Sequence, residues 1–129
     1  MKKLIALVLA VLMAAGLFAG MAAAENADSD WAYIQGKGKL VIGMTLFAPM
    51  NYYNEAGEFV GFDTELSKAV GKKLGIDVEF IEINWDSKEV ELNSKNIDCI
   101  WNGMCITEER KQNMSMTNAY LYNTQAIVA

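Results

Sequence analysis

Arg110 stands three residues after Thr107, and Thr107 closes the run Asn102, Gly103, Met104, Cys105, Ile106. That spacing sets a guanidinium in the first turn of a helix capped by Thr107, directly behind a stretch of backbone N–H groups. N–H groups at a helix start and a planar, bidentate guanidinium both match a carboxylate. Two aromatics elsewhere, Phe47 and Trp85, supply flat faces for an apolar or cationic body. Together these residue types suit a free amino acid gripped by its α-carboxylate. Each also admits a plainer reading: Arg110 pairing on the surface with Glu108 or Glu109, Trp85 capping the edge of a core, Phe47 stapling its own loop.

Other chemistries are poorly supplied. The chain has no His, which removes both the commonest general base and the commonest metal ligand. Its two cysteines, Cys99 and Cys105, make a poor zinc site and a possible disulfide whose formation depends on geometry. An enzyme would have to use Asp86 or a tyrosine as acid or base, with no perturbing neighbour evident in the sequence. No catalytic residue, metal ligand or cofactor is therefore assigned.

The elements that must position these residues read as alternating strands and helices. An apolar run over 39–44 is a buried strand. Turn residues at 54–58 join two short aromatic segments, Tyr52-Tyr53 and Phe59-Val60, into a hairpin. A helix is expected over 63–74, with Asp63 as N-cap, Leu66, Ala69, Val70 and Leu74 as its apolar stripe, and Gly75 as its stop. A strand follows over 77–83, then a loop at 84–87, a short helix over 88–92 capped by Ser87, and a third strand over 97–101. Another helix opens at Thr107, and an apolar strand-like run occupies 125–129. This alternation predicts βαβ crossovers and a mainly parallel sheet flanked by helices. The ligand crevice of such sheets lies beyond the carboxyl ends of the strands, where loops 45–50, 84–87 and 102–107 fall.

Lys2 and Lys3, an apolar run over 4–18 and Ala22-Ala23-Ala24 mark residues 1–24 as a secretory signal peptide. The alternative, a retained anchor, is disfavoured because the run is shorter than the about 20 residues of a spanning helix and is broken at Gly16 and Gly20. With no Cys near the cut, a lipid anchor is not expected, and the product is exported to the periplasm or the cell exterior. Residues 25–37 read as a short, loosely held leader and 38–129 as the folded part. Loss of Lys2 and Lys3 takes the net charge of -5 to -7, which argues against nucleic acid or an anionic membrane as partner.

Residues 61–66, Gly-Phe-Asp-Thr-Glu-Leu, closely resemble the signature of the family 3 extracytoplasmic solute-binding proteins, the amino-acid receptors of ABC importers. From residue 38 onward the resemblance runs segment by segment. Residues 38–43 look like the family's first strand, and 47–50 like the loop bearing its aromatic ligand platform. Residues 85–87 look like the turn that covers the ligand, and 102–110 like the Gly-Met-Thr-Ile-Thr-x-x-Arg segment that holds the carboxylate. The resemblance implies that Arg110 clamps the carboxylate, Phe47 and Trp85 sandwich the ligand body, and Gly103 and Cys105 line the floor, with Asn102 among the contacts. Cys105 departs from the usual Thr or Ser, exchanging a good hydroxyl donor for a weak thiol. The implied fold is the first lobe of a type II periplasmic-binding-protein-like α/β domain, truncated before the second lobe. The implied partners are a free amino acid and an ABC permease. Two alternatives share the lobe: a cyclohexadienyl-type dehydratase, and a receptor or sensor ectodomain.

Overall fold

The computed structural model of the chain describes residues 29–124 and 126–127. The expected signal peptide at 1–24 lies outside the described residues, as do Gln125, Val128 and Ala129 of the expected last strand. Ala126 and Ile127 are not in a strand, and Ile127 is almost fully exposed.

Two compact units divide at Gly38. The first contains helix α1 (Asp30–Lys37), where a loose leader was expected. Its ends explain it: the Ser29 side chain accepts from the Ala32 N–H, Asp30 adds acid to the first turn, and Gly38 closes the helix in the left-handed conformation.

The second unit is built on a three-stranded parallel sheet of β1 (Lys39–Met44), β4 (Asp77–Glu82) and β5 (Cys99–Ile100), with β1 in the middle. Lys39 pairs with Asp77 and Met44 with Glu82 on one side of β1, and Ile42 with Cys99 and Gly43 with Ile100 on the other. Hydrogen bonds from Asp98 N–H to the Val41 carbonyl (2.8 Å) and from Trp101 N–H to the Gly43 carbonyl (3.1 Å) extend the pairing beyond β5's two residues. A central strand is covered on both faces, and the last four residues of β1 are all buried. Val41, Ile83 and Ile97 form the core cluster, with Leu92 and Ile100 against it. Gly43 is part of that packing, since a Cβ there would lie 2.5 Å from Ile97 Cδ1. The hairpin β2 (Tyr52–Tyr53) with β3 (Phe59–Val60) is antiparallel, in the segments anticipated.

Helix α2 (Phe62–Leu74) follows the hairpin, and here two expectations are corrected. Asp63 does not cap it. The cap position is Gly61, and the first N–H groups go to the carbonyls of Pro49 and Met50 instead: Phe62 to Pro49 and Asp63 to Met50, both at 3.0 Å. The buried face is also not Leu66, Ala69, Val70 and Leu74, which are half-buried or exposed. Asp63, Thr64, Ser67 and Gly71 face inward. Small side chains at that spacing bring the helix backbone against the sheet, and a Cβ on Gly71 would collide with Val78. Further along, Ser87 donates to the Asn84 carbonyl rather than capping α3 (Lys88–Asn93). The last helix, α4 (Glu108–Asn113), is capped by Thr107 as anticipated, with its hydroxyl accepting from Arg110 N–H at 3.2 Å.

Candidate functional site

Because β1, β4 and β5 run parallel, the loops that leave them emerge at one end of the sheet. That end carries all six residues singled out from the sequence. Phe47 lies in the loop after β1. Trp85 opens a 3₁₀ turn (Trp85–Ser87) after β4. Asn102, Gly103 and Cys105 lie after β5, and Arg110 in the first turn of α4. A groove lined by Lys68, Lys72 and Ile76 lies beside the start of β4 at the opposite end. It is open, and it lies away from the carboxyl ends of the strands where ligand crevices of parallel sheets form, so the carboxyl-end loops are the better candidate.

Phe47 N–H donates to the Asn51 carbonyl at 2.7 Å, and Asn51 N–H returns to the Phe47 carbonyl at 2.9 Å. This tight turn holds the Phe47 ring out, 53% exposed. Trp85 is half-buried, with the Lys88 ammonium 5.1 Å from its ring centroid. The indole thus already receives one cation. The Arg110 guanidinium donates to the Cys105 carbonyl at 2.7 Å, folding back on the loop that precedes it. Glu108 pairs with Lys111, and no acidic side chain pairs with Arg110 among the described residues. Both cysteines are free thiols. Cys105 is exposed, whereas burial and then the nearby Asp98 charge push the Cys99 thiol up to about 12.

Asn102 has a different setting, since its side chain faces inward and is 7% exposed. Its amide donates to the Thr45 carbonyl (2.8 Å) and to Asn51 Oδ1 (2.7 Å), and accepts from the Thr45 hydroxyl (2.7 Å). Asn51, fully buried, donates to the Thr64 hydroxyl at 3.0 Å, and Thr64 donates onward to the Val60 carbonyl. This chain of amides locks the loops after β1 and β5 to each other and to α2. A buried polar network of this kind rigidifies what it joins when its members are satisfied.

Asp63 makes the second tie. It is 1% exposed, and its Oδ1 accepts from the Tyr120 hydroxyl at 2.9 Å. Gly103 N–H and the Trp101 indole N–H lie against the same carboxyl and favour its charged form, but burial outweighs them and raises its pKa. Among the described residues, Oδ2 and the Trp101 indole nitrogen are both buried without a partner at hydrogen-bond distance. The Tyr120 hydroxyl is raised to about 12, first by burial and then by its bond to Asp63. Thr45, Asn51, Trp101 and Tyr120 carry none of the ligand chemistry sought in the sequence, and Asp63 and Thr64 stood out only through the 61–66 signature and the helix start; the tie between them is revealed by their packing.

The sequence profile of the bacterial extracellular solute-binding proteins, family 3, matches residues 40–129. The chain belongs to this family. Among curated relatives, the arginine-binding extracellular protein ArtP of Bacillus subtilis is 33% identical over 129 residues, which is 100% of this chain and 48% of that protein. The L-cystine-binding protein TcyJ of Escherichia coli K12 is 29% identical over 90% of this chain and 45% of its own. The chain thus spans about half the length of the curated relatives it matches. A solved ABC uptake transporter substrate-binding protein of Streptococcus pneumoniae with bound histidine superposes with a TM-score of 0.68 and 38% identity, over 73% of this chain and 39% of that one. The arginine-bound form of domain 1 from TmArgBP superposes at 0.58 with 37% identity, over 62% and 64%. The fold is that of type II periplasmic-binding proteins, a parallel sheet flanked by helices. Among the described residues no helix is long and apolar enough to cross a membrane.

Proposed function

We propose that this chain supplies the ligand-binding lobe of an exported receptor that captures a free amino acid and hands it to an ABC permease. What supports the reading is that Arg110, without an ion-pair partner among the described residues, stands with loop amides and two aromatic side chains on segments that follow the carboxyl ends of the strands of one parallel sheet. Arg110 is the group for the α-carboxylate, exchanging its bond to the Cys105 carbonyl for a charge-assisted, bidentate one. Gly103 and Cys105 contribute through their backbone, while Phe47 and Trp85 flank the ligand body. Asn102 acts from behind, holding the loop through its amide rather than touching the ligand with it.

Relatives named as arginine- and cystine-binding proteins support amino acids as the substrate class, and support a receptor rather than an enzyme. The arginine-bound single domain of TmArgBP supports binding by one lobe. Export rests on residues 1–24 and on the extracellular character of the family; neither a lipid anchor nor nucleic acid enters the reading.

A thermal-melt screen of the chain against the free amino acids tests it, with Arg110→Ala alongside. A subset of ligands should raise the melting temperature, and a ligand at 100 times its Kd stabilises by about 2.7 kcal/mol. Arg110→Ala should weaken binding by about 2 kcal/mol, on the order of thirtyfold, as expected for loss of hydrogen bonds to a charged group. A cooperative melt that no amino acid moves would overturn the proposal.

A further inference from the structure

The aspartate of the 61–66 signature, expected as the cap of its helix, has another task. Backbone carbonyls of Pro49 and Met50 take the first N–H groups of α2, so the Asp63 side chain is free to point away from its own helix. It enters a buried site shared by three segments distant in sequence: α2 itself, the loop after β5 through Trp101 and Gly103, and the stretch beyond α4 through Tyr120. Gly103 stands at a φ of 62°, and a Cβ there would approach Asp63 Oδ2 to 3.9 Å, so the loop turns directly over the carboxyl. One oxygen of that carboxyl has its donor, Tyr120, at 2.9 Å; the other has none at hydrogen-bond distance among the described residues, although the Gly103 and Trp101 N–H groups lie against the carboxyl. The Trp101 indole N–H, against the same carboxyl, is the complementary orphan.

An unpaired buried acceptor beside an unpaired buried donor costs free energy that a small movement can recover. We propose that Asp63 is the positioning residue of the ligand loop 101–107: it fixes where the Gly103 and Cys105 amides stand, and its free oxygen takes the Trp101 indole N–H when the loop seats on a ligand. The part played by the ligand rests on the function proposed above; the tie between Asp63 and the loop does not.

The test is an NMR titration of the full chain without ligand, followed by calorimetry with L-arginine. The titratable group facing Asp63 is Tyr120, which ionises far above the acid range. The Gly103 amide and Trp101 indole resonances should therefore move together through one transition above the ordinary carboxylate value of 3.8, and this transition should vanish in Asp63→Asn. In Tyr120→Phe, which removes a donor to the charged form, it should shift to higher pH. In L-arginine titrations Asp63→Asn should lose affinity by about tenfold, and the Trp101 indole proton should move downfield in the wild type alone. Gly103 and Trp101 resonances that ignore acid pH, or the same transition in Asp63→Asn, would overturn the proposal. So would an unmoved transition in Tyr120→Phe. If the wild-type chain titrates as described but neither L-arginine nor any amino acid of the thermal-melt screen binds, the receptor reading fails and the tie to the loop stands.

Discussion

At the scale of single residues, the side chains proposed to meet a ligand and those that tie the loops in place are different sets, joined only through the fold. Arg110, Phe47 and Trp85 were legible because guanidinium and aromatic rings advertise their chemistry wherever they stand. Asn102 was legible as part of a motif, but its inward role was not, because its partners Thr45 and Asn51 lie 57 and 51 residues away. Removing that amide leaves buried groups of Asn51 and Thr45 unsatisfied, at about 1–3 kcal/mol for each. Asn102→Ala is therefore expected to cost about 2–6 kcal/mol in a denaturant melt; a loss below about 0.5 kcal/mol would mean that the amide is not the lock described. Asp63 sets a pH dependence of stability. Its folded pKa is raised, so its contribution is fully present below 3.8 and is lost as pH rises through the folded value. Relative to wild type, Asp63→Asn should thus fare better at pH 7 than at pH 4, a comparison that paired melts at the two pH values decide.

At the scale of elements, the sequence pattern found the three strands of the sheet, the hairpin and most helices, and missed which face of α2 is buried. Counting apolar positions selects Leu66, Ala69, Val70 and Leu74, whereas the sheet accepts Thr64, Ser67 and Gly71, because close backbone approach excludes larger side chains. A leader of mixed polarity likewise concealed α1, whose ends are set by Ser29 and Gly38 rather than by an apolar stripe. The start of α2 gives a sharp contrast between two glycines. Gly57 (φ 77°) has open space where a Cβ would stand, while a Cβ on Gly61 (φ 133°) would collide with the Met50 carbonyl. Gly57→Ala should cost about 1 kcal/mol, the ordinary penalty for a left-handed residue. Gly61→Ala should cost well over about 2 kcal/mol, since rigid backbone must move and the N–H bonds to Pro49 and Met50 go with it. Equal melting temperatures for the two variants would refute this account of the helix start.

At the scale of the molecule, strand direction does the gathering: three parallel strands deliver three loops to one end, and this was foreseeable from strand and helix alternation alone. What alternation cannot supply is how the loops are stitched. The Lys39–Glu79 ion pair spans 40 residues, and the Val41–Asp98, Thr45–Asn102 and Asp63–Tyr120 hydrogen bonds each span 57. Long closures must be made before any of these contacts repays them, which slows folding. The hairpin 52–60 can form alone on the order of 1–10 μs. Parallel pairing and the ties behind the ligand loops should follow on the order of milliseconds or later, as a stopped-flow refolding trace would record. The carboxyl-end loops of this molecule are consequently the last part of it to be born, and the time a nascent chain spends without them is set by how far apart in sequence their stitches lie.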